Sequence, residues 1–240
     1  MALATLDTIY PVYVYETGMV LPSEGTYYVV DSNGFWIHKD TGILKAFLPV
    51  KNMSVLDELG ELSGKLECNL PKIPENLVWK IKEFFRRVVD IHHAESEVTL
   101  YYNKEKEEFK IHVPKQMVSR SSVYYERVGL THLEGMEDFL RVGTIHSHCD
   151  FEAFHSGTDH DDENDFDGIH VTFGNNDKDE FTISASIVVN GFRNKVDPEK
   201  FLEGISLVGE NYKLNSQVNE EWAKDIDKWL EKVQSNKHHY

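Results

Sequence analysis

Five histidines, one cysteine and many carboxylates lie close together in residues 143–174, GTIHSHCDFEAFHSGTDHDDENDFDGIHVTFG. Imidazole and carboxylate groups are common zinc ligands in proteins, and they also act as general acids and bases. The segment lies between two runs, 141–147 and 169–173, whose composition predicts strands. The sequence therefore predicts a reactive site close to the end of a strand.

Alternation along the first of these strands selects two of the histidines. Residues two apart on a strand point to the same face, so His146 and His148 would project together while Ser147 points away. If the chain opens a helix near Ser156, then Ser156 and Asp159 lie near one helix face. Asp159 could then complete a His/His/Asp set whose fourth position is left for water, as in a catalytic zinc site.

At this spacing the sequence resembles a known family. His146-Ser147-His148, seven residues, Ser156, two residues and Asp159 match the JAMM signature of the MPN/Mov34/JAB metalloprotease superfamily at all four fixed positions. The resemblance covers about residues 75–195. It is closest to prokaryotic JAB-domain peptidases found beside ubiquitin-like conjugation genes.

The family also has a glutamate at the start of the strand that follows the first long helix. The resemblance assigns this role to Glu97, followed by Val98, and leaves Glu95 as the alternative. The glycine usual after that pair is absent, since Thr99 stands there. Cys149 follows the second histidine, where relatives commonly have proline; we expect cysteine to follow the same path without taking part in the chemistry.

The resemblance implies a zinc-dependent isopeptidase or peptidase, a hydrolase similar to a deubiquitinase. His146, His148 and Asp159 would bind Zn²⁺ and lower the pKa of a bound water toward ~7. Glu97 would take the proton from this water and pass it to the leaving amine, and Ser156 would hydrogen-bond the oxyanion. The scissile bond would follow the C-terminal tail of ubiquitin or a ubiquitin-like protein.

The implied partners are a ubiquitin-like modifier or its conjugate, together with homologues of ubiquitin-activating and ubiquitin-conjugating enzymes. A role in antiphage defence or modifier recycling is an expectation from the resemblance alone. Two other functions remain open from the sequence. One is a catalytically inactive MPN scaffold that binds partner proteins, and the other is a zinc hydrolase of a small molecule or a sulfur-carrier adduct.

Other residues of the segment have simpler interpretations. The acidic run at 161–167 lacks the glycine and terminal glutamate of an EF-hand, so carboxylates at a helix N-terminus or a patch facing a basic substrate are the alternatives. His155 and His160 are either exposed loop residues or hydrogen-bond partners of the metal ligands. Phe151 and Phe154 either pack the loop or line a groove for the tail.

Cys149 beside His148 also raises the possibility of a cysteine protease. Adjacent residues on a strand point to opposite faces, so these two side chains cannot easily form a catalytic dyad. The sequence therefore favours a free, partly buried thiol.

The pattern along the chain predicts an α/β (α+β) fold, a mixed sheet flanked by helices. A small β-rich domain at 1–70 precedes a JAB/MPN domain at 75–240, for which the resemblance implies a cytidine-deaminase-like core. Apolar spacing predicts a helix at 75–92 and a C-terminal helix with one apolar face over 218–233. Short helices are also predicted at 54–64 and 132–139.

Charge and composition argue against nucleic acid and membranes as binding partners of this protein. The 240 residues carry a formal net charge of −16, which would repel a phosphate backbone, so nucleic acid is not an expected partner. No apolar run reaches the ~20 residues that span a bilayer, and the two cysteines fit a reducing compartment. A cytoplasmic protein without membrane association is the expectation, and oligomeric state is not predicted.

Overall fold

The computed structural model describes residues 10–50, 63–125, 135–153, 166–216 and 220–235. The chain divides into two compact units, 1–70 and 71–240. The division falls inside the proline-containing segment 68–74, where the sequence suggests a boundary.

The first unit is a five-stranded sheet in chain order, with β1 parallel to β2 and the other pairs antiparallel. Its strands are β1 (Val12–Val14), β2 (Tyr27–Asp31), β3 (Gly34–Asp40), β4 (Leu44–Pro49) and β5 (Lys65–Cys68). Asp31 pairs with Gly34 across a two-residue loop, the hairpin that the Asp-Ser-Asn-Gly sequence predicts. Tyr27, Val29 and Trp36 form its buried cluster.

The second unit contains an eight-stranded mixed sheet and a three-stranded sheet. Its strands are β6 (Glu97–Asn103), β7 (Glu108–His112), β8 (Gln116–Ser119), β9 (Ser122–Tyr125), β10 (Leu140–Ser147), β11 (Gly168–Gly174), β12 (Glu180–Val189), β13 (Phe192–Val196), β14 (Ile205–Val208), β15 (Asn211–Leu214) and β16 (Val233–Ser235). The large sheet has the order β14-β15-β12-β11-β10-β6-β7, and β13 also pairs with β12. The small sheet has the order β16-β8-β9.

Few helices accompany these strands. They are α1 (Glu75–His92), a single 3-10 turn (Pro198–Lys200), α2 (Glu220–Ala223) and α3 (Ile226–Leu230). The predicted bounds of the long helix are confirmed, and the residue that caps its C-terminus, His93, has a left-handed φ of 49°. The mixed α+β class is therefore confirmed, with strands more numerous than helices among the described residues.

The large sheet has one apolar and one polar face at its centre. Ile145 is in register with Val98 and Val171 on the neighbouring strands, so the three side chains share the apolar face. All three are buried. Helix α1 packs there, with the Phe85 ring 5.8 Å from the ring of Phe173. Burying each such side chain contributes about 1.5–3 kcal/mol, so this face provides the core that holds the strands together.

The opposite face carries hydroxyl, imidazole and carboxylate groups on residues that are in register on β6, β10 and β11. Thr144 pairs with Thr99 and His170, and its hydroxyl lies 3.0 Å from His170 Nδ1. The other ring nitrogen of His170 lies 3.0 Å from the carbonyl oxygen of Phe166. Both nitrogens of this buried imidazole thus have a structural hydrogen-bond partner.

The predicted single C-terminal helix is wrong. The segment forms the short helices α2 and α3, and the chain then extends into β16. The apolar stripe is nevertheless used for packing, since Trp222 and Trp229 contact Trp79 and Phe84 of α1. Tertiary pairing overrides helical periodicity here, because Val233 lies in strand β16 beside β8.

The two predicted short helices fall partly or mainly outside the described residues. For the helix at 132–139, only 135–139 are described, and these form turns closed by a hydrogen bond from Phe139 N to Met136 O. The helix at 54–64 lies outside the described residues except for 63 and 64, which are not helical. None of the helices in the described parts of the chain is long and apolar enough to cross a membrane.

We expect Gly143→Ala to destabilise the second unit by about 2–4 kcal/mol. A Cβ at this position would overlap the carbonyl group of Ile169 on β11, beside the irregularity in the pairing of β10 with β6 between Arg141 and Gly143. Chemical denaturation measures the change. Gly135→Ala is the control, since its Cβ would meet open space and only its φ of +76° opposes it; equal losses in the two variants would contradict the prediction.

Candidate metal and hydrolase site

Three neighbouring strands bring Glu97, His146 and Thr172 side by side. His146 on β10 is in register with Glu97 on antiparallel β6 and with Thr172 on parallel β11. Side chains in register lie on the same face of a sheet, which here is the polar face. The Thr172 hydroxyl lies 3.3 Å from His146 Nε2.

The two strand histidines converge on one point. His146 Nε2 and His148 Nε2 are 3.3 Å apart. Two nitrogens that bind one zinc ion at 2.0–2.1 Å with a tetrahedral angle are about 3.3–3.4 Å apart, so these nitrogens fit a shared metal. The imidazole of His148 is buried and that of His146 is half-buried.

The glutamate is held at both its backbone and its side chain. The Tyr125 hydroxyl donates to Glu97 Oε1 at 2.6 Å. The side-chain amide of Gln116 accepts from Glu97 N at 2.9 Å and donates to Glu97 O at 3.0 Å. By contrast, Glu95 precedes β6, and its N–H donates to the carbonyl of Ser119.

A serine bridge on the opposite face fixes the end of the histidine strand. Ser147 is fully buried, and its N–H donates to the carbonyl oxygen of Ser96. The Ser147 hydroxyl in turn accepts from Ser96 N at 2.9 Å. This exchange extends the pairing of β6 and β10 to the residue just before Glu97 and so fixes the register of Glu97 against His146.

The turn after His148 takes a conformation that proline cannot adopt. Cys149 has a φ of 50°, whereas the proline ring holds φ near −65°. The expectation that cysteine follows the path of a proline is therefore wrong for this chain. Burial raises the pKa of the Cys149 thiol to about 11, so the thiol stays protonated near neutral pH and is a poor nucleophile.

A buried asparagine and a buried lysine support this turn. Asn176 donates from its side chain to Cys149 O at 3.2 Å and to Phe173 O at 2.7 Å. Lys82 of α1 donates to Asn176 O at 2.9 Å and to Lys178 O at 3.3 Å. Burial, with repulsion from a nearby arginine, lowers the pKa of Lys82 to about 8.

Beyond the turn, an arginine and an aromatic ring form an exposed pair. The Arg120 guanidinium lies 5.0 Å from the ring centre of Phe151 and 3.0 Å from an Asp150 carboxylate oxygen. Phe151 is 44% exposed. Single exposed apolar side chains are common on protein surfaces, so this exposure by itself assigns Phe151 no function.

Several predicted site residues lie outside the described residues. These are Phe154, His155, Ser156, Asp159, His160 and most of the acidic run at 161–167. The described residues contain no group of three histidine, cysteine, aspartate or glutamate side chains able to hold a metal. His146 and His148 are thus two predicted ligands, and Asp159 remains the predicted third.

Sequence reasoning missed Gln116, Tyr125 and Thr172 as parts of this site. Gln116 follows a proline-lysine pair and carries no motif, so no local signal marks it. The composition of residues 122–128 predicts a strand that contains Tyr125, but strand periodicity does not reveal the partner of this residue on another sheet. Thr172 could have been found, because the parallel pairing of the two flanking strands places it beside His146.

Comparison with known families and with curated proteins finds no match for this chain.

Lys82 predicts a pH dependence of stability. Its lowered pKa means that folding keeps an ammonium group buried at a cost, and this cost disappears as pH rises from about 8 to the ordinary lysine value. The free energy of unfolding of the wild type should therefore rise relative to that of Lys82→Met by about 3 kcal/mol over this range. Denaturant titrations between pH 7 and 11 measure it, and a constant difference would contradict it.

The left-handed φ of Cys149 predicts which substitutions this position tolerates. Cys149→Pro should lose about 3 kcal/mol or more of stability, because the ring cannot reach the φ of 50°. Cys149→Asn should be tolerated better, since asparagine adopts this region more readily. Thermal unfolding compares the two variants, and a proline variant as stable as the asparagine variant would contradict the prediction.

Proposed function

We propose that this protein is a zinc-dependent hydrolase of the JAMM type. In this proposal it cleaves an isopeptide or peptide bond that follows the C-terminal tail of a ubiquitin-like protein. The proposal extends to the fold, assigning the mixed sheet and α1 to a cytidine-deaminase-like core. Related partners would be the enzymes that activate and conjugate the same modifier.

One observation carries the proposal. Glu97, the residue that the resemblance assigns as general base, is in register with His146 on the neighbouring strand. The separation of 3.3 Å between His146 Nε2 and His148 Nε2 fits two ligands of one zinc ion. The histidine pair, predicted from its spacing, and the upstream glutamate, assigned by the resemblance, thus belong to one group on one face of the sheet.

The donor set fits zinc in its chemistry as well as in its spacing. Two neutral imidazoles and one carboxylate leave a position for water, as in catalytic zinc sites. His146, His148 and Asp159 would hold the ion. When bound, zinc lowers the pKa of water toward ~7 and polarises a carbonyl group.

The remaining steps belong to the side chains of this protein. Glu97 accepts the proton of the attacking water, and the amide carbonyl carbon gains the oxygen. Ser156 donates a hydrogen bond to the carbonyl oxygen as negative charge develops there. Glu97 then returns this proton to the amine nitrogen as the C–N bond breaks, giving a free amine and a carboxylic acid, which loses its own proton to solvent.

Cys149 takes no part in this scheme. Its thiol is buried, and its high pKa keeps it protonated. The site therefore supports attack by water better than attack by a cysteine nucleophile.

Glu97→Gln should reduce kcat by about 10²–10⁴-fold, because glutamine cannot accept the proton. The substrates are ubiquitin and bacterial ubiquitin-like proteins, each joined at its C-terminal glycine to a short peptide or a lysine side chain. Zinc content, measured by mass spectrometry of metals, should stay near one ion per chain, since Glu97 is not a proposed ligand.

Glu95→Gln is the matched control, since it removes the alternative glutamate. It should retain most of the activity. Wild-type protein without stoichiometric zinc, or full activity of Glu97→Gln, would overturn the proposed function. Stoichiometric zinc without cleavage of any modifier fusion would favour a scaffold or a small-molecule hydrolase.

A further inference from the structure

At Glu97, strand β6 is paired with β10 on one side but has no strand partner among the described residues on its β7 side. Thr99 pairs with His112, the last residue of β7. If the antiparallel register continued two residues past this pair, Pro114 would stand opposite Glu97. Proline has no N–H, so it cannot donate the hydrogen bond that the Glu97 carbonyl would receive from a strand partner.

The side chain of Gln116 makes the two missing hydrogen bonds. Its carbonyl oxygen accepts from Glu97 N at 2.9 Å, and its NH₂ group donates to Glu97 O at 3.0 Å. A primary amide offers the same donor and acceptor as a peptide group. Gln116 is only 3% exposed, so water cannot easily compete for these bonds.

The next strand holds the carboxylate itself. Tyr125 on β9 is in register with Gln116 on β8, so both side chains leave the small sheet on the same face. The Tyr125 hydroxyl donates to Glu97 Oε1 at 2.6 Å. A hydrogen bond to an ionised carboxylate is shorter and stronger than one between neutral groups.

The C-terminal strand β16 pairs with β8 at the position of Gln116. Val233 on β16 pairs with Gln116 from the other side. The backbone N–H of Gln116 donates to Lys232 O at 2.9 Å, and Lys232 Nζ donates to Val113 O at 3.0 Å. The backbone of Gln116 is thus fixed between β16 and β9.

We propose that Gln116 and Tyr125, together called the Glu97 brace, are positioning residues that orient the carboxylate of Glu97 for proton transfer. Gln116 fixes the backbone and Tyr125 fixes the direction of the carboxylate. This inference rests on the proposed function, because it assigns the brace a role in catalysis. The brace itself is a structural arrangement that can be measured in metal-free protein.

Orientation matters because proton transfer requires the base within hydrogen-bond reach of the attacking water. A glutamate side chain has three rotatable bonds, and an unrestrained carboxylate would spend much of its time in other rotamers. The brace removes this freedom before substrate binds. Its effect should therefore appear in kcat rather than in KM.

Tyr125→Phe removes one hydroxyl and keeps the ring. We expect kcat to fall roughly tenfold, as for the loss of one hydrogen bond to a charged group, with KM changed less than about twofold. Tyr124→Phe is the matched control, since Tyr124 lies next in the strand and is 63% exposed. Ubiquitin-like fusions cleaved by the wild type serve as substrates, and both variants should keep wild-type zinc content.

A double variant tests whether Tyr125 acts through the glutamate. In the Glu97→Gln background, Tyr125→Phe should cause no further loss of the residual activity, because the oriented group is already absent. A hydroxyl with a general structural role would lower activity by a similar factor in both backgrounds. That second result would overturn the assignment of Tyr125.

Gln116→Met tests the other half of the brace without using activity. Methionine has similar length but cannot replace the two hydrogen bonds, so hydrogen exchange at the Glu97 amide should accelerate at least about tenfold. NMR on metal-free protein measures this rate, and Gln234→Met on the exposed face of β16 is the control. Thermal unfolding verifies that each variant is folded.

The outcomes separate the brace from the proposed function. An inactive wild type, or full activity of Glu97→Gln, overturns the proposed function and with it the catalytic role of the brace; the exchange rates still decide whether the hydrogen bonds exist. With an active, Glu97-dependent wild type, unchanged kcat in Tyr125→Phe, lost zinc in that variant, or unchanged exchange in Gln116→Met overturns the brace. A lowered kcat with normal KM and zinc, together with faster exchange, supports it.

Discussion

The pairing of β6 with β10 is the constraint on which the rest of the second unit depends. Its register sets Glu97 beside His146, and the hydrogen bonds between Ser96 and Ser147 continue it past the end of β6. A slip of one residue would turn each of these side chains to the opposite face. The apolar face resists such a slip, because it would expose Val98 and bury Glu97 against α1.

That same sheet has two different tasks on its two faces. The apolar face packs on α1 and supplies stability, whereas the polar face holds imidazole, hydroxyl and carboxylate groups in hydrogen-bonded pairs. Buried polar groups are costly unless they are paired, and His170, held at both ring nitrogens, shows how the fold meets this cost. Lys82 is an exception to this division between the faces. It is a charged residue of α1, on the apolar side of the sheet, and it hydrogen-bonds the segment that supports the turn after His148.

Much of this unit follows from local patterns. The helix at 75–92 and the strands carrying Glu97, His146 and Thr172 are predicted from apolar spacing and β-branched composition, and the structure contains them within a residue or two. The C-terminal helix fails for a physical reason. Periodicity along the chain indicates which residues are buried. It does not indicate that β8 has an edge with which the C-terminal segment can pair, and this pairing stabilises an extended chain more than a further helical turn would.

The sequence by itself determined which residues could do chemistry. The histidine pair, Ser156 and Asp159 were identified by type and spacing, and the upstream glutamate by the resemblance that this spacing carries. Only the tertiary structure decided that Glu97 and His146 are neighbours, that Cys149 occupies a left-handed turn, and that Gln116 and Tyr125 hold the glutamate. The physical reason is that type and spacing act along the chain, within a strand or a helical turn. Contacts between strands depend on which edges remain unpaired, and this is settled only when the whole sheet has formed.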